Sequence, residues 1–198
     1  MKRAAIGLKS KTGRAIAVAL AAPLEYISRE ELTLCDALTK QPYHDVMEMP
    51  WSESIVAVKP AIATIEKIAA GELRRFVESV ASRGFEIVGI AVVGPADRNL
   101  ERIGNPHIRA HAAEGVLFRA VIESAAKTNR IAWKAFVDPA KEISAVQKKK
   151  IEGMKAVAGP PWRADEKSAA MAACAVLGSD LRFPQSSTPR GKVGKSEI

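Results

Sequence analysis

Residues 86–94 read Glu-Ile-Val-Gly-Ile-Ala-Val-Val-Gly, with no polar side chain after the first. The run lacks the alternation of a strand with one wet face, so it is expected to be a buried strand of the parallel kind found in α/β folds. Ahead of it, residues 4–8 and 14–21 read as strands joined through Lys9-Ser10-Lys11-Thr12-Gly13, with Gly13 supplying the turn. Pro23 ends the second, and residues 27–35 form a third, with Leu32 and Leu34 alternating against Glu31 and Thr33. Residues 42–51 are a loop bounded by prolines. Ser52 is expected to cap a helix to about Arg83, with a stripe of Ile55, Val58, Ile62, Ile65, Ala69, Phe76 and Val80. Pro60 kinks its first turns or marks a later start, and Gly71 weakens its middle. After the buried strand come a helix over residues 105–127, a strand over 131–137 and a basic helix over 139–157. Gly159-Pro160-Pro161-Trp162 breaks that helix, and Asp165 caps a last one through about Leu177. The order β-β-β-α-β-α-β-α-α predicts an α/β protein, three antiparallel strands followed by parallel units.

A chain of 198 residues, 47% of them hydrophobic, can bury a sizeable core. Residues 1–180 are expected to form a single domain and residues 181–198 a flexible basic tail. Cys35 and Cys174 have no motif spacing and read as small core hydrophobes in a reducing compartment. The start is too poor in apolar residues for a signal peptide, and the longest apolar run, residues 15–22, falls far short of the about 20 a membrane span needs. A bacterial-type cytoplasmic protein with no membrane partner is expected. The formal net charge of +8 permits phosphate-rich partners. Much of the excess is local, in Lys141, Lys148, Lys149, Lys150 and Lys155 and in the tail. Lys148-Lys149-Lys150 reads as a solvated helix face or as a nucleic-acid patch.

The helix from Asn105 carries the polar groups of greatest interest. Asn105 is a good N-cap and Pro106 suits the first helical position. At about 100° per residue, His107, His111, Glu114 and Phe118 share a side that continues as Val121, Ile122 and Ala125. Arg109, Arg119, Glu123 and Lys127 lie opposite. Two histidines and a carboxylate thus sit at the head of an otherwise apolar stripe. Their i, i+4, i+7 spacing lets them converge on one divalent metal. They can equally be acid–base groups of a metal-free site. A third reading binds His107 to loop backbone and His111 to Glu114. The remaining histidine, His44, lies in Tyr43-His44-Asp45-Val46-Met47-Glu48, so His44 and Glu48 are further candidate metal ligands. Lys9, Lys11 and Arg109, with Arg14, can form an anion-binding mouth beside the Asn105 helix start; solvated lysines are the alternative. Trp51 and Trp162 flank proline breaks, as loop anchors or base-stacking platforms.

Three stretches resemble the ribonuclease-H-like superfamily, in the branch of the Holliday-junction resolvases. Ala5-Ile6-Gly7-Leu8-Lys9-Ser10-Lys11-Thr12-Gly13 with the following strand is similar to that fold's first hairpin, which actin and sugar-kinase ATPases share. Residues 87–94 and the Asn105 helix are similar to its fourth strand and next helix. Asp165-Glu166-Lys167-Ser168-Ala169-Ala170-Met171-Ala172-Ala173 is similar to the resolvases' closing helix, an acid followed by an alanine-rich face. The resemblance implies a mixed five-stranded sheet with flanking helices. It also implies acidic residues holding divalent metals that activate water. Asp165, or Glu166, matches the closing helix's acid, and Asp97 loosely matches one near the fourth strand's end. The first strand's aspartate, however, is matched by Lys9, which cannot ligate Mg²⁺. The usual two-metal nuclease and ATP hydrolysis are therefore both disfavoured. Lys9-Ser10-Lys11-Thr12-Gly13 is not a P-loop, since it lacks that glycine order and precedes a strand.

Three functions are compatible with this reading. The first is recognition of nucleic acid or another phosphorylated ligand, with a degenerate or non-standard hydrolytic site around His107, His111, Glu114 and Asp165. The second is a non-catalytic module for a protein or small ligand. The third is a metal-binding enzyme using the His107/His111/Glu114 face.

Overall fold

The computed structural model describes residues 1–179; the expected tail at 181–198 lies outside them. β1 (Lys2–Lys11), β2 (Arg14–Ala21) and β3 (Glu25–Thr33) make an antiparallel meander. β4 (Phe85–Val93) runs parallel to β1, and β5 (Trp133–Phe136) parallel to β4. The sheet order is β3-β2-β1-β4-β5, the mixed five-stranded arrangement that the resemblance implied. α1 (Pro42–Asp45), α2 (Trp51–Ala57) and α3 (Lys59–Ala81) precede β4, and α4 (Pro106–Thr128) follows it. α5 (Ala145–Gly153), α6 (Lys155–Ala158) and α7 (Ala164–Leu177) complete the described chain. Among the described residues no helix is long and apolar enough to cross a membrane.

Alternation along β1 divides the interior into two layers. Ala4, Ile6 and Leu8 pack with Ile65, Phe76, Phe118, Val121 and Ile122 from α3 and α4. Ala5 faces the other way, into a layer with Val93, Trp162 and the alanines of α7. The approach of α7 is close because both surfaces are small. A Cβ built on Gly7 would lie 1.8 Å from the Ala169 carbonyl oxygen. Only glycine allows that contact. Cys35 and Cys174 are free and buried, one in each layer, as core hydrophobes should be.

The main differences from expectation lie where helices start, stop or divide, and at the ends of β3. The long helix expected over residues 52–83 is two helices parted at Val58. Pro60, in the first turn of α3, has no N–H to continue an earlier helix. Ser52 caps nothing, and Ile55, expected in the stripe, is 41% exposed. The expected helix at 139–157 is a 3-10 turn at Pro139–Glu142, then α5 and α6. Ser144 restarts it as a capping box, accepting from the Gln147 N–H while the Gln147 side chain accepts from Ser144. β3 begins and ends two residues earlier than expected, after a register shift opposite Ala19/Leu20. Residues 42–51, expected as loop, contain α1 and the start of α2. Trp162 is a buried loop anchor whose Nε1–H donates to the Ile151 carbonyl at 3.0 Å.

Candidate functional site

The residues singled out from sequence form two groups, one on each face of the sheet. The first is built on α4. The Asn105 side chain accepts from the Ile108 N–H at 3.0 Å, which sets the first turn and places His107 and His111 one above the other. Their Nε2 atoms are 3.1 Å apart. Glu114, one turn further in, is only 1% exposed. Its partner is neither of those histidines. The segment before α2 folds over α4, with Pro42 buried, and Oε1 of Glu114 takes a hydrogen bond from His44 Nδ1 at 2.8 Å. The ligating nitrogens of His44, His107 and His111 all lie within 4.8 Å of one another. His44 Nε2 and Glu114 Oε2 are buried without a hydrogen-bond partner.

Polar and aromatic contacts hold this segment down. Ser54 Oγ lies 3.1–3.3 Å from the carbonyl oxygens of Val46, Met49 and Pro50, fastening the turn ahead of α2. Tyr43 stacks on Trp51 with centroids 5.6 Å apart, and the Arg109 guanidinium carbon is 5.5 Å from the centre of the Trp51 ring. Trp51 thus spans α1 and α4, a role that its place beside Pro50 could not reveal.

The second group lies on the opposite face. Lys9 and Lys11 share the side of β1 that Gly7 presents to α7. Lys11 Nζ is 3.1 Å from Asp165 Oδ2. Lys9 is half-buried, and burial pushes its ammonium pKa down; Asp165 opposes the shift and Lys11 adds to it. Asp165 is not the cap of α7 but stands in its first turn, where the helix dipole favours a carboxylate. Glu166 does the capping, accepting the Arg163 N–H at 2.8 Å.

The anion mouth read from Lys9, Lys11 and Arg109 is therefore divided. Two lysines face α7, and Arg109 lies over Trp51 beyond the other face. Glu48 is exposed and outside the histidine group, so the expected pairing of His44 with Glu48 gives way to His44 with Glu114. Asp97 is held by Arg119 of α4, whose Nη1 also donates to the Pro95 carbonyl at 2.7 Å. Apart from that ion pair the Asp97 side chain is largely exposed. A carboxylate-bound metal of the nuclease kind does not fit here, because two ammonium groups occupy the surroundings of Asp165.

No protein-family profile matches the chain, and no curated protein matches it in sequence. Solved structures do match. Thermus thermophilus RuvC in complex with a Holliday junction substrate superposes with a TM-score of 0.51 at 12% identity, over 87% of this chain and 91% of RuvC. A second Thermus thermophilus RuvC structure gives 0.48 at 11% identity, over 87% and 92%. At 12% identity, the match over 87% of this chain establishes architecture alone: this chain has the ribonuclease-H-like fold of the RuvC Holliday-junction resolvases.

Proposed function

We propose that this protein binds nucleic acid through the end of β1 and the start of α7, and does not cleave it by carboxylate-held metal ions. The observation that carries the reading is Lys9. The position that resembles the resolvases' first-strand acid holds a lysine, kept half-buried against its charge, with Lys11 beside it. An anionic partner there would offset the cost that burial places on the Lys9 charge. The formal net charge of +8 and the junction substrate bound by RuvC point the same way. Asp165 partly neutralises the lysines in the free protein, and an incoming phosphate competes with it for them.

Fluorescence anisotropy on four-way, duplex and single-stranded DNA across a salt series tests this. Binding is expected to fall linearly in log–log form with salt. Lys9→Gln and Lys11→Gln are each expected to weaken it several-fold at low salt and to flatten the slope by about one. Absence of binding to any DNA or RNA at low salt would overturn the proposal. So would Mg²⁺-dependent cleavage that Asp165→Asn abolishes.

A further inference from the structure

We propose that His44, His107 and His111 form a binding site for one late first-row divalent metal ion, zinc foremost, with Glu114 as the positioning residue behind His44. The site lies across the sheet from Lys9 and does not depend on the nucleic-acid reading.

Convergence is the first support. The chain has 3 histidines, and segments some 60 residues apart bring all of them together, within 4.8 Å at their ligating nitrogens. Spacing is the second. With metal–nitrogen bonds of about 2.0–2.1 Å, two nitrogens of a tetrahedral ion sit roughly 3.3 Å apart. His107 and His111 hold their Nε2 atoms at 3.1 Å.

The third support is the set of unmet atoms. The hydrogen bond to Glu114 assigns the His44 proton to Nδ1 and leaves a lone pair on Nε2. That Nε2 is buried and has no protein partner. Protonating His44 does not resolve this, since it would bury an N–H with no acceptor. A metal ion does, because it takes the lone pair. It also supplies positive charge near a carboxylate that is 1% exposed and has a second oxygen unpartnered. A ligand histidine donating its other N–H to a carboxylate is the common arrangement behind protein-bound zinc.

Donor chemistry selects the ion. Three neutral imidazoles suit zinc, cobalt, nickel or copper, whereas magnesium and calcium need oxygen ligands. Cys35 and Cys174 are buried in the two core layers and contribute no thiolate. His107 and His111 are exposed, so the ion keeps a position open to solvent. Three protein ligands plus water make a site of catalytic rather than structural type, able to present a hydroxide near neutral pH.

Untagged full-length protein, stripped with a chelator, is titrated with Co²⁺ and Zn²⁺ by visible absorption and calorimetry. The expected result is one ion per chain, the d–d bands of a four-coordinate cobalt site, their loss on adding zinc, and a Tm raised by zinc. His107→Ala and His111→Ala lie on exposed positions and should fold. They are expected to weaken binding at least 100-fold and to lose the zinc-dependent Tm rise, with the metal-free Tm unchanged. Glu114→Gln is expected to weaken binding 10–100-fold and to shift the cobalt bands while leaving the circular dichroism spectrum intact. Wild-type protein that takes up no stoichiometric metal overturns the proposal. Uptake that survives the double His107→Ala/His111→Ala change overturns it equally.

Discussion

Lys9 shows how one side chain can be held against its own preference. Ala5 and Gly7 precede it on that side of β1 and α7 covers them, so the ammonium gives up water for the company of Asp165 and of Lys11. Burial is the largest influence and lowers its pKa from the ordinary 10.5. The folded protein therefore binds fewer protons than the unfolded chain just below pH 10.5, and stability from this group rises with pH across that window. At neutral pH the charge is a cost. Lys9→Met is accordingly expected to raise the midpoint of urea denaturation at pH 7, with an advantage that shrinks as the pH approaches 10.5. A margin that instead widened with pH would mean that attraction to Asp165 outweighs desolvation. A substitution that stabilises the fold and weakens DNA binding would mark Lys9 as kept for function.

Where α7 meets β1 the two elements leave no room for one added methyl group, and this contact was legible in part. The stretch after Asp165 reads as a closing helix with an alanine-rich face. That Gly7 lies directly under Ala169 followed from no local pattern, because it depends on where the closing helix crosses the sheet. Gly7→Ala is expected to cost about 3 kcal/mol or more, since its new methyl meets backbone that has no rotamer to escape into. Gly71→Ala makes the contrast: nothing lies within 4 Å of the added carbon, and helix propensity alone should stabilise α3 by up to about 1 kcal/mol. Thermal denaturation of the two variants separates a steric effect from a conformational one. α4 teaches a related lesson. Its start, cap and inward stripe were readable, because they depend on neighbours within a turn or two. Glu114 was placed correctly on the stripe, but each of its three readings grouped it with the histidines of its own helix, and its partner is His44. A helical wheel gives direction around the axis, not depth, and Glu114 lies deep enough to serve His44 from behind.

Across the whole molecule the sheet is a partition. The histidine group sits with α3 and α4 on one side, and Lys9, Lys11 and Asp165 with α7 on the other. Sites with no shared partner are expected to respond independently. The double change Lys9→Gln/His107→Ala should show the DNA-binding loss of the first and the metal-binding loss of the second, each unaltered by the other. Coupling larger than about 0.5 kcal/mol in either affinity would show that the two faces act as one site.

Local pattern in the sequence was enough for four parts of the fold: the hairpin opening, the buried fourth strand, the capped helix and the alanine-rich close. Each depends on contacts a few residues apart, and on the burial that a run of apolar side chains demands. That succession narrows the topologies open to the chain without saying which strand borders which. The tertiary structure alone decided which distant groups meet. His44 reaches Glu114 across 70 positions because a short proline-led helix lies on α4. Lys9 and Arg109 stay apart because Lys9 points to the face of the sheet that α7 covers, while α4, which carries Arg109, packs on the other. Such meetings depend on the path of the backbone through space, which periodicity along the chain does not record.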